Sequence, residues 1–252
     1  MIAMGFVKAG ANVLISSRTE NDCKEAVKSL QNFAVHKDTV QYVTGNISSR
    51  EGCKTLAEYT KKLFNGRLDV LVNNAGTSWG EDPYDRESGR ANWGWDRVLD
   101  LNVKGMFYLS RECVPLLERK DENFAEDPGR IINIGSIAGI VSQEAPTHAY
   151  DVSKAAVHHL TKKMAADLAK RNITVNAIAP GYVPSRMSKG LSAWGASDEK
   201  ICKTIPLGRM GSEDDLSGPS IFLASRAGAW TTGVILVVDG GACTIQMPLS
   251  SL

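Results

Sequence analysis

Short runs of aliphatic and β-branched residues alternate along the chain with longer stretches in which apolar positions recur every three to four residues. The runs at 13–16, 40–44, 68–73, 130–135, 173–178 and 234–238 read as strands. The stretches 21–33, 50–63, 95–119, 149–171 and 213–225 read as helices, the third long enough for two pieces. Strand–helix alternation implies parallel strands with right-handed crossovers. The predicted fold class is therefore α/β, a doubly wound, Rossmann-like parallel sheet in a single domain spanning 1–252. Two irregular stretches follow strands: 77–92, which is polar and net acidic, and 182–211, which carries Pro184, Met187, Leu191, Trp194 and Pro206. Both fall at the carboxyl edge of the sheet, where ligands bind in this class.

The first ten residues place apolar side chains at 1, 2, 4, 6 and 7 and end in Gly10. This reads as the inside of an amphipathic helix with no capping residue and no strand before it. No G-x-G-x-x-G occurs anywhere, although the fold class invites one.

Composition adds exclusions. The chain has 252 residues, 43% hydrophobic and 23% charged, with 29 basic and 28 acidic residues and a net charge of +1. That balance offers no electrostatic footprint for nucleic acid or an anionic membrane. The longest uncharged run, 172–185, has 14 residues, short of the roughly 20 that cross a bilayer. No charged leader precedes an apolar stretch, and a cytoplasmic location is expected. The five cysteines (Cys23, Cys53, Cys113, Cys202, Cys243) are scattered, odd in number and never in CxxC spacing. They read as free thiols with neither a disulfide framework nor a metal site. Of the four histidines, His36, His148, His158 and His159, surface or interface positions are expected.

Candidate chemistry gathers at strand ends. Tyr150 and Lys154 are spaced i, i+4 on one helix and share a face. A nearby ammonium favours the phenolate and is expected to draw the Tyr150 pKa from about 10 toward neutrality, making it a proton donor and acceptor. Chance supplies roughly 0.4 such pairs in a chain of this composition, so the pair needs its context. Ser136 follows the strand 130–135, Asn73-Asn74-Ala75-Gly76 ends another, Asn102 lies in a helical stretch, and Pro180-Gly181 ends the strand 173–178. Each alone reads as a turn or a cap; four at successive strand ends or on adjoining helices do not.

With these residues assembled, the sequence resembles the classical short-chain dehydrogenase/reductase family. The resemblance rests on Asn73–Gly76, Asn102, Ser136, Tyr150-x-x-x-Lys154, Pro180-Gly181, Ile205-Pro-Leu-Gly-Arg209 and Val238-Asp-Gly-Gly241, and covers the chain to about residue 241. The strings at 73–80 and 132–139 are similar to the rhamnolipid-type β-ketoacyl reductase branch. The resemblance implies hydride transfer between a nicotinamide cofactor and a carbonyl or alcohol. It makes Tyr150 the proton donor in reduction, and Lys154 the group that lowers the Tyr150 pKa and holds the ribose. It gives Ser136 the hydrogen bond to the substrate oxygen, and Asn102 a water that relays protons to Lys154. Asn74, Ala75 and Gly76 would pack on the adenosine side, and Val183 and Ser185 would meet the nicotinamide carboxamide. A homodimer or homotetramer is expected, through the helices at 102–119 and 149–171. The latter's Val152, Val157, Leu160, Met164 and Leu168 exceed one buried stripe.

Cofactor choice is read at Ser16-Ser17-Arg18. An NAD enzyme places an acid there for the ribose 2′-hydroxyl. Ser17 stands in its place, and Arg18 can pair with a 2′-phosphate, so NADP(H) is expected. Asn46 stands where the family has an adenine-contacting Asp. Asp151 adds a carboxylate beside Tyr150 and is expected to point elsewhere. The family's opening strand and Thr-Gly-x-x-x-Gly-x-Gly loop have no counterpart in the sequence given. The strand is central in the family's order 3-2-1-4-5-6-7, so the chain is expected to lack that strand, to leave two edges unpaired and to bind NADPH poorly. The reading is an NADP(H)-dependent oxidoreductase reducing a 3-oxoacyl or related ketone. Its rivals are a truncated non-catalytic interaction module and an NAD-linked alcohol dehydrogenase. Trp79, Met187, Leu191 and Trp194 suggest an apolar pocket wall. The closing Ser250-Ser-Leu252 lacks the basic residue of a peroxisomal address.

Overall fold

The computed structural model describes residues 1–82, 84, 85, 91–119, 127–142, 144–185 and 197–244, with the backbone only at 91 and 92. Among them run strands β1 (Val13–Ser17), β2 (Val40–Thr44), β3 (Val70–Asn73), β4 (Gly129–Ile134), β5 (Ile173–Pro180) and β6 (Ile235–Val238). The helices are α1 (Ile2–Lys8), α2 (Glu20–Gln31), α3 (Arg50–Leu63), α4 (Ala91–Leu99), α5 (Met106–Leu117), α6 (His148–Leu168), α7 (Asp198–Lys203) and α8 (Glu213–Ala224). Every strand pairing is parallel, as the alternation requires. β4 and β5 are buried almost throughout, which explains their near-continuous apolar runs.

The sheet falls into two parts, β1-β2 and β3-β4-β5-β6. No strand of the described residues stands between β1 and β3, and the two do not close on each other. Helices hold the parts together from both faces. On one face α1 turns two sides to two cores. Val7 joins Val27, Leu30 and Val40, with Val13 and Ile15 of β1. Ile2 and Phe6 join Ile132, Ile178, Leu216 and Leu223. Gly5 lets α1 and α8 approach closely, since a Cβ there would strike the Ser217 side chain. On the other face α3 and α5 bring Cys53, Leu56, Leu109, Cys113 and Leu117 against Ile131 and Val175, and Leu14 and Val43 pack on the same cluster. Each fully buried Val or Leu contributes about 1.5–3 kcal/mol relative to exposure, so these shared cores are the main link across the break.

Several boundaries differ from the periodicity. β1 extends to Ser17, and β5 runs on to Pro180 instead of stopping before it. β3 starts only at Val70. The stretch read as helix 95–119 is α4 and α5 joined by a π-helical turn, Asp100–Gly105. Gly105 permits that turn, because a Cβ there would strike the Ile47 carbonyl. Met1 stands at the N-cap of α1 and makes no side-chain capping bond, and Gly10 takes φ +84, as the sequence implied. Of the surplus apolar residues on α6, Val157 and Met164 are buried, Leu160 and Leu168 pack on the core, and only Val152 is exposed. α6 is wedged deeply enough to bury more than one stripe, so the surplus is absorbed within the chain. Cys23, Cys53 and Cys113 are buried and all five cysteines are free. No helix of the described residues is long and apolar enough to cross a membrane.

Candidate active site

The carboxyl ends of β3, β4 and β5 open onto the N-terminal half of α6. Past Asn73, which closes β3, Asn74 and Ala75 are exposed. A Cβ at Gly76 would lie 3.4 Å from Asn102 Oδ1 and 3.7 Å from Lys154 Nζ. The β3 turn, the π-helical turn and α6 thus meet at Gly76. Asn102 is buried. Its Oδ1 accepts from the Thr77 N–H at 2.9 Å, and its Nδ2 donates to the Thr77 carbonyl and the Ser153 hydroxyl, each at 2.9 Å. These bonds tie the Asn102 side chain to the Thr77 backbone beside Lys154. The segment after β2 reaches the same π-helical turn through Ile47 at Gly105.

Ser136 follows β4 and caps the short 3-10 turn Ile137–Gly139, its Oγ accepting from the Ala138 N–H at 3.2 Å. Tyr150 and Lys154 share a face of α6, with Lys154 Nζ 5.4 Å from the Tyr150 ring centroid. The ammonium is 5% exposed and donates to the Ile134 carbonyl at 2.7 Å. Burial lowers its pKa to about 8. Tyr150 moves the other way. Burial pushes its pKa above 10, a hydrogen bond with Ser136 pulls part of that back, and the Asp151 charge adds to the rise. This corrects the expectation that Lys154 draws Tyr150 toward neutrality, since the ammonium is turned to the Ile134 carbonyl. A phenol that stays protonated at neutral pH is a proton donor, which suits the direction of reduction.

Asp151 is half-buried, and its Oδ1 accepts from the Thr147 hydroxyl at 2.9 Å. Burial raises its pKa, and its charge raises the pKa of both Tyr150 and Tyr182.

The remaining candidates lie around this centre. Ser17 is the last residue of β1, its carbonyl accepting from the Gly45 N–H at 3.0 Å, and Arg18 is exposed just beyond. Asn46 is exposed, and its Oδ1 accepts from the Ser48 N–H and hydroxyl at 3.2 and 2.7 Å. Pro180 ends β5. Gly181 donates to the Val238 carbonyl at 2.9 Å and has no room for a side chain, since a Cβ would be 2.8 Å from Asp239 Cα. The Val183 side chain packs against Ile132, Ile178, Leu216 and Leu223, and Ser185 is half-buried. Trp79 seats against Gly94 and meets Trp93 edge-on at 4.8 Å, so it anchors α4. Met187, Leu191 and Trp194 lie outside the described residues.

Two features were missed by the sequence reading. His158, expected at the surface, is buried one turn below Lys154, against Gly135. Its spacing from Tyr150 and Lys154 on one helix face was the available signal. The second is a buried network: Asn73 Nδ2 donates to Ser110 Oγ and Asn133 Oδ1, and Asn133 Nδ2 donates to Thr161 Oγ1, at 2.8–2.9 Å. It ties β3, β4, α5 and α6 together beneath the site.

The sequence profile of a family described as enoyl-(acyl carrier protein) reductase matches residues 1–243. The rhamnolipid-biosynthesis 3-oxoacyl-[acyl-carrier-protein] reductase of Pseudomonas aeruginosa is 39% identical over 241 residues, 96% of this chain and 90% of that protein. The 5-keto-D-gluconate 5-reductase of Escherichia coli K12 is 33% identical over 244 residues, 96% of this chain and 89% of that protein. The solved P. aeruginosa RhlG/NADP active-site complex superposes with a TM-score of 0.85 at 38% identity, covering 96% of this chain and 90% of that one. With a parallel α/β sheet, Ser136, Tyr150 and Lys154 at its carboxyl edge and these matches over nearly its whole length, the chain belongs to the short-chain dehydrogenase/reductase family of oxidoreductases.

Proposed function

We infer that this protein reduces the ketone of a 3-oxoacyl or related small-molecule substrate to an alcohol, using NADPH. The observation that supports this most is the meeting of the Ser136 hydroxyl, a protonated Tyr150 and a buried Lys154 beside the open turn at Asn74, Ala75 and Gly76. The residues present fit the cofactor. Gly76 sets bare backbone next to Asn102 and Lys154. Arg18 stands exposed beyond Ser17, where a guanidinium pairs with a 2′-phosphate. Asn46 stands exposed after β2, on the adenine side. When bound, NADPH supplies the hydride to the carbonyl carbon. Ser136 donates to the substrate oxygen and orients it. Tyr150 gives its phenolic proton to that oxygen as the alcohol forms. The Lys154 ammonium, held by the Ile134 carbonyl at 2.7 Å, binds the ribose. A homodimer or homotetramer is proposed through the outer faces of α5 and α6, where Phe107 and Val152 are exposed; light scattering tests it.

The test is NADPH oxidation with a 3-oxobutanoyl thioester, with NADH and a 2-enoyl thioester as controls. The reading expects turnover with NADPH and the ketone, and much less with either control. Calorimetry with NADPH tests the cofactor part of this reading directly: binding supports it, and no binding contradicts it.

A further inference from the structure

The face of α6 that carries Tyr150 and Lys154 continues through His158 and Thr161, and it grips the end of β4 residue by residue. Thr161 Oγ1 accepts from Asn133 Nδ2 at 2.9 Å, and Lys154 Nζ donates to the Ile134 carbonyl at 2.7 Å. Gly135 comes next. Its N–H donates to the Ile178 carbonyl at 2.7 Å, and a Cβ on it would strike the His158 ring at Nε2. Ser136 follows directly, and the short turn that it caps meets α6 again at Gly139, where a Cβ would strike the Lys154 backbone. The His158 ring is thus the contact that α6 makes with the chain immediately before Ser136.

His158 is a poor choice for stability alone. It is 7% exposed, and its Nε2 is buried with no hydrogen-bond partner among the described residues. Burial lowers its pKa below 6.5, a hydrogen bond to the Gly139 backbone opposes this, and the Lys154 and Lys162 charges add to the fall. A buried polar atom left unpaired carries a desolvation cost that an aliphatic side chain avoids. What the ring supplies instead is a flat, rigid spacer against bare backbone. We propose that His158 is a positioning residue for Ser136: its ring sets the distance of Gly135 from α6 and so places the Ser136 hydroxyl at the substrate oxygen. This rests on the ketoreductase reading and adds to it a residue that touches neither substrate nor cofactor. A misplacement of about 1 Å costs about 100-fold in rate, so loss of the ring should cost about 10- to 100-fold in kcat.

The test is a double-mutant cycle on kcat with a 3-oxobutanoyl thioester and NADPH, over the wild type, His158→Ala, Ser136→Ala and the double variant. Both forms of the chain are used, as it stands and with an added strand and Gly-rich loop ahead of Met1, at a temperature where urea curves show each variant folded. His158→Ala should lower kcat about 10- to 100-fold and leave the Kd for NADPH within about twofold. In the Ser136→Ala background the same replacement should cost less than about threefold, because no hydroxyl is left to misplace. Gly135→Ala presses on the contact from the β4 side and decides the matter if His158→Ala does not fold. It should cost at least about tenfold in kcat with Ser136 present and less than about threefold without it. A loss of the same size in both backgrounds, or a kcat within about twofold of wild type, overturns the positioning role and leaves the ketoreductase reading intact. A wild type that reduces the ketone in neither form overturns both.

Discussion

Replacing Lys154 with methionine separates what this residue does for chemistry from what it does for the fold. Its ammonium is 5% exposed and held at about 8 against the usual 10.5. At about 1.4 kcal/mol per decade, a charged Lys154 destabilises the folded protein at neutral pH by about 3 kcal/mol. The hydrogen bond to the Ile134 carbonyl at 2.7 Å offsets part of this, and removing the donor leaves that carbonyl unpaired at about 1–3 kcal/mol. Lys154→Met should therefore be as stable as the wild type or about 2 kcal/mol more stable at pH 7, while losing at least about 100-fold in turnover. The pH dependence sharpens the test. Between about 8 and 10.5 the unfolded chain binds the proton that the folded chain has lost, so the wild type gains stability as pH rises through that window. From pH 7 to pH 10 the gain is about 2.5 kcal/mol, and the variant lacks it. Urea unfolding of both proteins at the two pH values measures it. A variant destabilised by more than about 1 kcal/mol at pH 7, or a wild-type–variant difference that does not change with pH, would refute the reasoning.

Arg18→Ala should weaken NADPH binding roughly 10- to 150-fold, the worth of one charge-assisted hydrogen bond, and leave NADH binding little altered; calorimetry with both cofactors checks this, and equal losses would remove the 2′-phosphate role. Gly5→Val forces a side chain onto Ser217 and should lower stability by about 1–3 kcal/mol through overpacking, visible as a lower urea midpoint; no change would mean that α1 does not bind the two sheet parts together. A chain extended by a strand and Gly-rich loop ahead of Met1 should melt higher and show a larger NADPH-dependent rise in Tm; identical melting and identical shifts would show that the break between β1 and β3 leaves no place for a strand.

The strand–helix alternation was legible because apolar runs report burial directly, and the site was legible because its residues sit where strands end. What escaped the sequence depended on contacts between distant segments. The π-helical turn at Asp100–Gly105 interrupts a pattern that is helical throughout; it exists because Gly105 faces the Ile47 carbonyl and Asn102 bonds Thr77 and Ser153. The direction of the Tyr150 pKa escaped because spacing shows that Lys154 shares its face but not that the ammonium is directed to Ile134. His158 reads as a surface histidine until α6 is seen to bury more than one stripe.

The central claim is that Tyr150 delivers the proton, and Tyr150→Phe tests it most directly, because it removes the hydroxyl and keeps the ring. Turnover of a 3-oxoacyl substrate with NADPH should fall by about two to four powers of ten, with melting temperature and NADPH binding nearly unchanged. A phenylalanine variant that keeps half the wild-type rate in the same N-terminal form would contradict the account.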